Sequence, residues 1–128
     1  RALLTGTDRR EMLPGVEASL EPETLTVLQQ AASQVHMTDP LVDYIQALVR
    51  FTRESPDFEI GLSPRGSLAL VAAARAHAYI EHHSGVFPDD VQAVFASVAG
   101  HRVKPASSSV YRTPAEISRH VLDNVAIP

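Results

Sequence analysis

Proline placement constrains this chain more than any other feature. Five of its nine prolines, Pro22, Pro40, Pro64, Pro88 and Pro114, each stand at the front of a segment whose apolar residues recur three and four positions apart. Proline has no N–H to donate and a φ already close to helical, so it suits the first turn of a helix and disrupts the interior. Five such positions therefore mark five helix starts. Of the residues before them, Asp39, Ser63 and Thr113 are good N-caps, while Glu21 and Phe87 are not. Thr113-Pro114-Ala115-Glu116 also has the order of a capping box.

The spacing predicts helices over about 22–35, 40–54, 64–82, 88–99 and 114–125. Their expected apolar faces carry Leu25, Leu28, Ala32 and Val35 in the first, and Leu41, Tyr44, Ile45, Leu48 and Phe51 in the second. The third is rich in alanine, with Leu68, Val71, Ala72, Ala78 and Tyr79, which suggests close contact with neighbouring helices. The fourth carries Val91, Val94, Phe95 and Val98, and the last Ile117, Val121, Leu122 and Val125. Pro56 stops the second helix, since the residue before a proline avoids helical angles. Ser84-Gly85 is a plausible left-handed cap for the third. Phe58 to Leu62 and Val86-Phe87 read as short extended pieces that can pair as a minisheet. Lys104 to Arg112 reads as a mobile loop. The expected fold is all-α, a bundle of about five short helices. Residues 1–20 lack a clean period and read as a linker, leaving 21–128 as the helical domain.

Composition narrows the functions open to such a bundle. With 128 residues the chain is one domain able to bury a core. There is no cysteine, which excludes disulfides, thiol nucleophiles, thiolate zinc sites and iron–sulfur clusters, and fits a cytoplasmic protein. Eleven basic against 15 acidic residues give a net charge of −4, which argues against a dedicated nucleic-acid binder. The longest apolar run, Leu68 to Ala74, is too short to span a bilayer. No signal peptide is visible, and a start at Arg1 is expected of a piece cut from a longer protein.

The sharpest local signal is Gly61-Leu62-Ser63-Pro64-Arg65-Gly66-Ser67. A cap serine and an N1 proline open a helix, and an arginine follows at once. A cation beside the positive end of a helix costs about 0.3–1 kcal/mol. An anion arriving there reverses the sign, because free amides, dipole and guanidinium would all favour a phosphate. The plain alternative is an ordinary helix start whose arginine points into water. The same stretch has the glycine spacing of a Walker A loop, but Ser67 and Leu68 stand where lysine and serine or threonine are required. It is therefore no self-sufficient nucleotide site. His77 and Glu81 are four apart and share a helix face near His82 and His83, a metal-binding possibility set against a solvated helix end. Thr52-Arg53 and His101-Arg102 read as structural hydrogen-bonding pairs. Asp89 and Asp90 complement the start of the fourth helix. No serine stands in a nucleophile elbow.

Together these pieces resemble the C-terminal lid domain of MoxR-family AAA+ ATPases, relatives of the magnesium chelatase ATPase subunit. Leu25 to Gln29 resembles the family's first lid helix, and Val35 to Ile45 the segment that leads into the second. Leu48-Val49-Arg50-Phe51-Thr52-Arg53 resembles its "Lv.aTR", and Gly61 to Gly66 its "GaSPRa" signature. Val86 to Val91 resembles "yV.PeDV", His101-Arg102 resembles "HR", and Val121 to Pro128 resembles the closing helix. The family's Gly-Arg pair before "yV" is replaced by Ser84-Gly85, so no role of that arginine carries over.

The resemblance implies a function. Arg65 matches the sensor 2 arginine, which reads the γ-phosphate of bound ATP, with Ser63 and Pro64 positioning it. The ATPase core, with the groups that hold ATP and Mg²⁺, would precede Arg1, and 1–20 would be the linker from it. The implied partners are that core, neighbouring protomers of a hexamer and client proteins that the cytoplasmic ATPase remodels. The domain alone would be inactive, with no catalytic residue and no metal site of its own. The competing readings are a helical DNA-binding module that uses the third helix, or a helical adaptor.

Overall fold

The computed structural model describes residues 13–111 and 113–127. After a 3₁₀ turn at Leu13–Gly15 come five helices: α1 (Pro22–Ser33), α2 (Asp39–Glu54), α3 (Pro64–Ile80), α4 (Pro88–Ala99) and α5 (Pro114–Asn124). A two-stranded antiparallel sheet pairs β1 (Phe58–Ile60) with β2 (Lys104–Pro105). The all-α class and the five helix starts agree with the reading above. The linker reading of 1–20 lies largely outside the described residues. Arg112 and Pro128 lie outside them too.

Each helix opens on its own local chemistry. Ser63 Oγ accepts from Gly66 N–H at 3.1 Å, the N-cap bond that starts α3. Thr113 and Glu116 form the reciprocal capping box, with bonds of 2.9 and 3.2 Å. Asp39 is the first helical residue of α2 rather than its cap; Thr38 occupies the cap position without a side-chain bond. At α4 the cap Phe87 offers no acceptor, but its N–H donates to Asp90 Oδ2 at 2.8 Å, so the acid at N3 supplies half a capping box.

α3 and α4 pack together, α5 closes on α4, and α2 crosses the assembly beside the sheet. Leu48, Leu62, Leu70, Val91, Phe95, Ile117 and Val121 fill the centre. α1 rests on α3 at the edge and buries none of its residues; Leu25 is 48% exposed. Nothing among the described residues covers its outer face. α3 also presents a different face from the one expected. It buries Gly66, Leu70, Ala74 and Ala78, while Leu68 is 71% exposed and Ala72 is exposed. A helix that is apolar nearly all round offers no periodic contrast, so packing chooses its inner side.

Two connections depart from expectation. Phe58–Ile60 pairs with Lys104–Pro105, not with Val86-Phe87. The Val86 N–H instead donates to the His36 carbonyl at 2.8 Å, tying that segment to the turn before α2. The loop read as mobile thus begins as a strand, and Ser109 within it is buried. The left-handed residue after α3 is His82, at φ 57°, and no glycine among the described residues takes a positive φ. An aromatic group that the sequence did not announce joins α5 to β1. His120 stacks on Tyr111 at 4.0 Å between ring centres, meets Phe51 edge-on, and holds Asp57 Oδ2 at 2.9 Å through Nε2.

Candidate functional site

The Gly61–Gly66 turn joins β1 to α3 and is held by the end of α2. Thr52 is fully buried. Its hydroxyl donates to the Val49 carbonyl at 2.7 Å and accepts from the Leu62 N–H at 2.9 Å. Arg53 Nε donates to the Leu62 carbonyl at 2.8 Å. The structural reading of Thr52-Arg53 is therefore correct, and its object is the signature turn.

The glycines of this turn answer to close packing. A Cβ on Gly61 would come within 2.5 Å of the Thr52 carbonyl oxygen and 2.7 Å of Arg53 Cγ. A Cβ on Gly66 would come within 2.6 Å of Leu62 Cδ1. Leu62 is buried under Gly66 with both of its backbone groups bonded, so it anchors the turn from inside.

Pro64 and Arg65 follow as the first two helical residues. Arg65 is exposed and makes no hydrogen bond or ion pair with the described residues. The first turn of α3 contains no acid, whereas those of α1, α2, α4 and α5 contain Glu23, Asp39, Asp89 with Asp90, and Glu116. The guanidinium and the helix end thus add their positive potentials, with no acid in that turn to offset them. Beside the turn lies a groove of about 660 Å³ between α2 and α3, lined by residues that include Met37, Ile45, Val49, Arg53, Pro64 and Leu68. Arg53 is common to the groove and to the bonded turn.

The histidine cluster resolves differently from the metal-binding possibility. His77 and His83 both turn to the buried Asp90, not to Glu81. His77 Nδ1 lies 2.8 Å from Oδ1, and His83 Nδ1 lies 3.0 and 3.2 Å from the two oxygens. An ionised carboxylate only accepts, so each Nδ1 carries the proton. Burial pushes the Asp90 carboxyl up, but the Phe87 N–H and then the His77 and His83 imidazoles outweigh it and hold the group below its ordinary value. Asp90 therefore does more than complement a dipole: it fastens the end of α3 and the following turn to the start of α4. His82 and Glu81 are exposed.

Residues 50–121 match the family model described as the AAA lid domain. The chain belongs to the AAA lid domain family. Its relatives place it with the MoxR-type lids of AAA+ ATPases. It is 30% identical over 128 residues to the uncharacterized protein YeaC of Bacillus subtilis strain 168, covering 98% of this chain and 40% of that protein. It is likewise 30% identical over 126 residues to chaperone MoxR1 of Mycobacterium tuberculosis, covering 90% of this chain and 33% of that one. Among solved structures, a putative ATPase from Cytophaga hutchinsonii superposes with a TM-score of 0.67 at 23% identity, over 76% of this chain and 33% of its own. That likeness establishes the shared fold. This lid domain thus spans between a third and two fifths of the length of these proteins. No helix among its described residues is long and apolar enough to cross a membrane.

Proposed function

We propose that this lid serves a longer cytoplasmic MoxR-type ATPase as its nucleotide-responsive part, with Arg65 as the sensor 2 arginine. The supporting observation is Arg65 itself: an exposed guanidinium on the first turn of α3, free of any ion pair with the described residues. A planar, permanently charged fork suits a γ-phosphate oxygen, and the neighbouring amides and helix dipole add to the attraction. Ser63 and Pro64 act on Arg65 by setting where the helix begins. ATP and Mg²⁺ would be held mainly by an ATPase core outside this chain. The lid alone contributes one side of the contact and hydrolyses nothing.

The mechanism follows from that division. ATP draws lid and core together through the Arg65–phosphate contact. Loss of the γ-phosphate weakens the contact and lets them part. Repeated across the protomers of a hexamer, this movement would drive remodelling of client proteins. In the full-length ATPase, Arg65→Ala should lower ATP turnover at least tenfold while the circular dichroism spectrum stays unchanged. Unaltered turnover would refute the assignment.

A further inference from the structure

We infer that Thr52 and Arg53 are positioning residues for Arg65, acting through the backbone of Leu62. This inference rests on the sensor reading of Arg65. The Leu62 N–H is taken by Thr52 Oγ1 at 2.9 Å, and the Leu62 carbonyl by Arg53 Nε at 2.8 Å. The two grips come from adjacent residues in the last turn of α2. The Thr52 hydroxyl has a single proton, committed to the Val49 carbonyl at 2.7 Å, so a lone pair is left to face Leu62. The site is fully buried, and water cannot replace the bond.

Leu62 is also held through its side chain. A Cβ on Gly66 would strike Leu62 Cδ1, so the first turn of α3 lies directly on this leucine. The residues between Leu62 and Gly66 are the cap Ser63, Pro64 with its locked φ, and Arg65. Few backbone torsions remain free between the gripped peptide and the arginine. The end of α2 therefore sets the direction in which the Arg65 side chain leaves the fold. A guanidinium aimed at a phosphate loses much of its effect when displaced by about 1 Å.

The test is a double-mutant cycle in the full-length ATPase, reading kcat and KM for ATP. Thr52→Val removes the hydroxyl and keeps the shape, Thr52→Ser restores the hydroxyl, and Arg53→Met removes the guanidinium but keeps an apolar stem. Thr52→Val and Arg53→Met should each lower kcat about fivefold or more, and Thr52→Ser should stay within about twofold of wild type. In the Arg65→Ala background neither substitution should lower kcat further, because the group they aim is gone. If Thr52→Val does not fold, Arg53→Met carries the test, since that side chain is exposed. Equal losses with and without Arg65 would show a general structural role and overturn the inference. So would normal kcat in both variants while Arg65→Ala is impaired. Normal turnover in Arg65→Ala itself would remove the sensor reading, and this inference with it.

Discussion

Asp90→Asn probes how much of the α3–α4 corner depends on one charge. Asp90 is fully buried, and its two oxygens receive the Phe87 N–H at 2.8 Å, His77 Nδ1 at 2.8 Å and His83 Nδ1 at 3.0 and 3.2 Å. Asparagine keeps one acceptor oxygen and puts an NH₂ where the other stood. With its oxygen kept on the Phe87 N–H, the NH₂ faces His77 and His83, and an imidazole must switch to the tautomer with a bare Nδ1 to accept it. One charge-assisted bond is lost, at about 1.5–3 kcal/mol, and the others weaken, so the total cost is about 2–4 kcal/mol. At roughly 4 °C per kcal/mol for a domain of this size, the midpoint should fall by about 8–16 °C. Urea unfolding followed by circular dichroism at pH 7 measures the loss directly.

The pH dependence separates charge from shape. The folded state holds the Asp90 carboxyl below its ordinary value, so the unfolded chain binds this proton more readily. The stability contributed by the ionised carboxylate is complete above about pH 5 and is lost as pH falls through the folded value, below about pH 4. The difference between wild type and Asp90→Asn should therefore shrink on going from pH 7 to pH 3. A difference that is the same at both, or below about 1 kcal/mol at pH 7, would refute the reasoning.

Three further outcomes are expected. Gly61→Ala should destabilise by about 2 kcal/mol or more, because its Cβ meets the Thr52 backbone, and Gly66→Ala should cost less, because its Cβ meets a leucine methyl; chemical denaturation ranks the two. Thr113→Ala should cost about 1 kcal/mol by removing the capping-box bond to the Glu116 N–H, as thermal melts would reveal. Arg65→Ala should leave the unfolding free energy within about 0.5 kcal/mol of wild type, since the side chain is exposed and unpaired among the described residues; a larger loss by calorimetry would point to a structural duty for this arginine.

Much of the turn before α3 could be read in advance. Ser63, Pro64 and the two glycines announce a capped helix start, and the arginine stands out because it opposes the dipole. What could not be read was the grip of Thr52 and Arg53 on Leu62. Nine and ten residues separate these partners, and a Thr-Arg pair is unremarkable until the chain folds back on it. The Asp90 site was hidden for the same reason. Its acid explained itself as a helix-start residue, and its histidines as a solvated helix end, until the turn at His82 brought them together. His120 carried no local signal, since its partner Asp57 lies 63 positions away.

The starts of the five described helices and the family signature are written in the residues themselves, because proline, cap and dipole effects act within one turn of chain. The inner face of α3, the strand that Phe58–Ile60 pairs with and the burial of Asp90 were decided by tertiary structure. An alanine-rich helix has almost the same affinity for a core on every side, and a strand edge or a buried carboxylate can be satisfied by any donor that arrives. Only the packed arrangement of all five helices selects which one does.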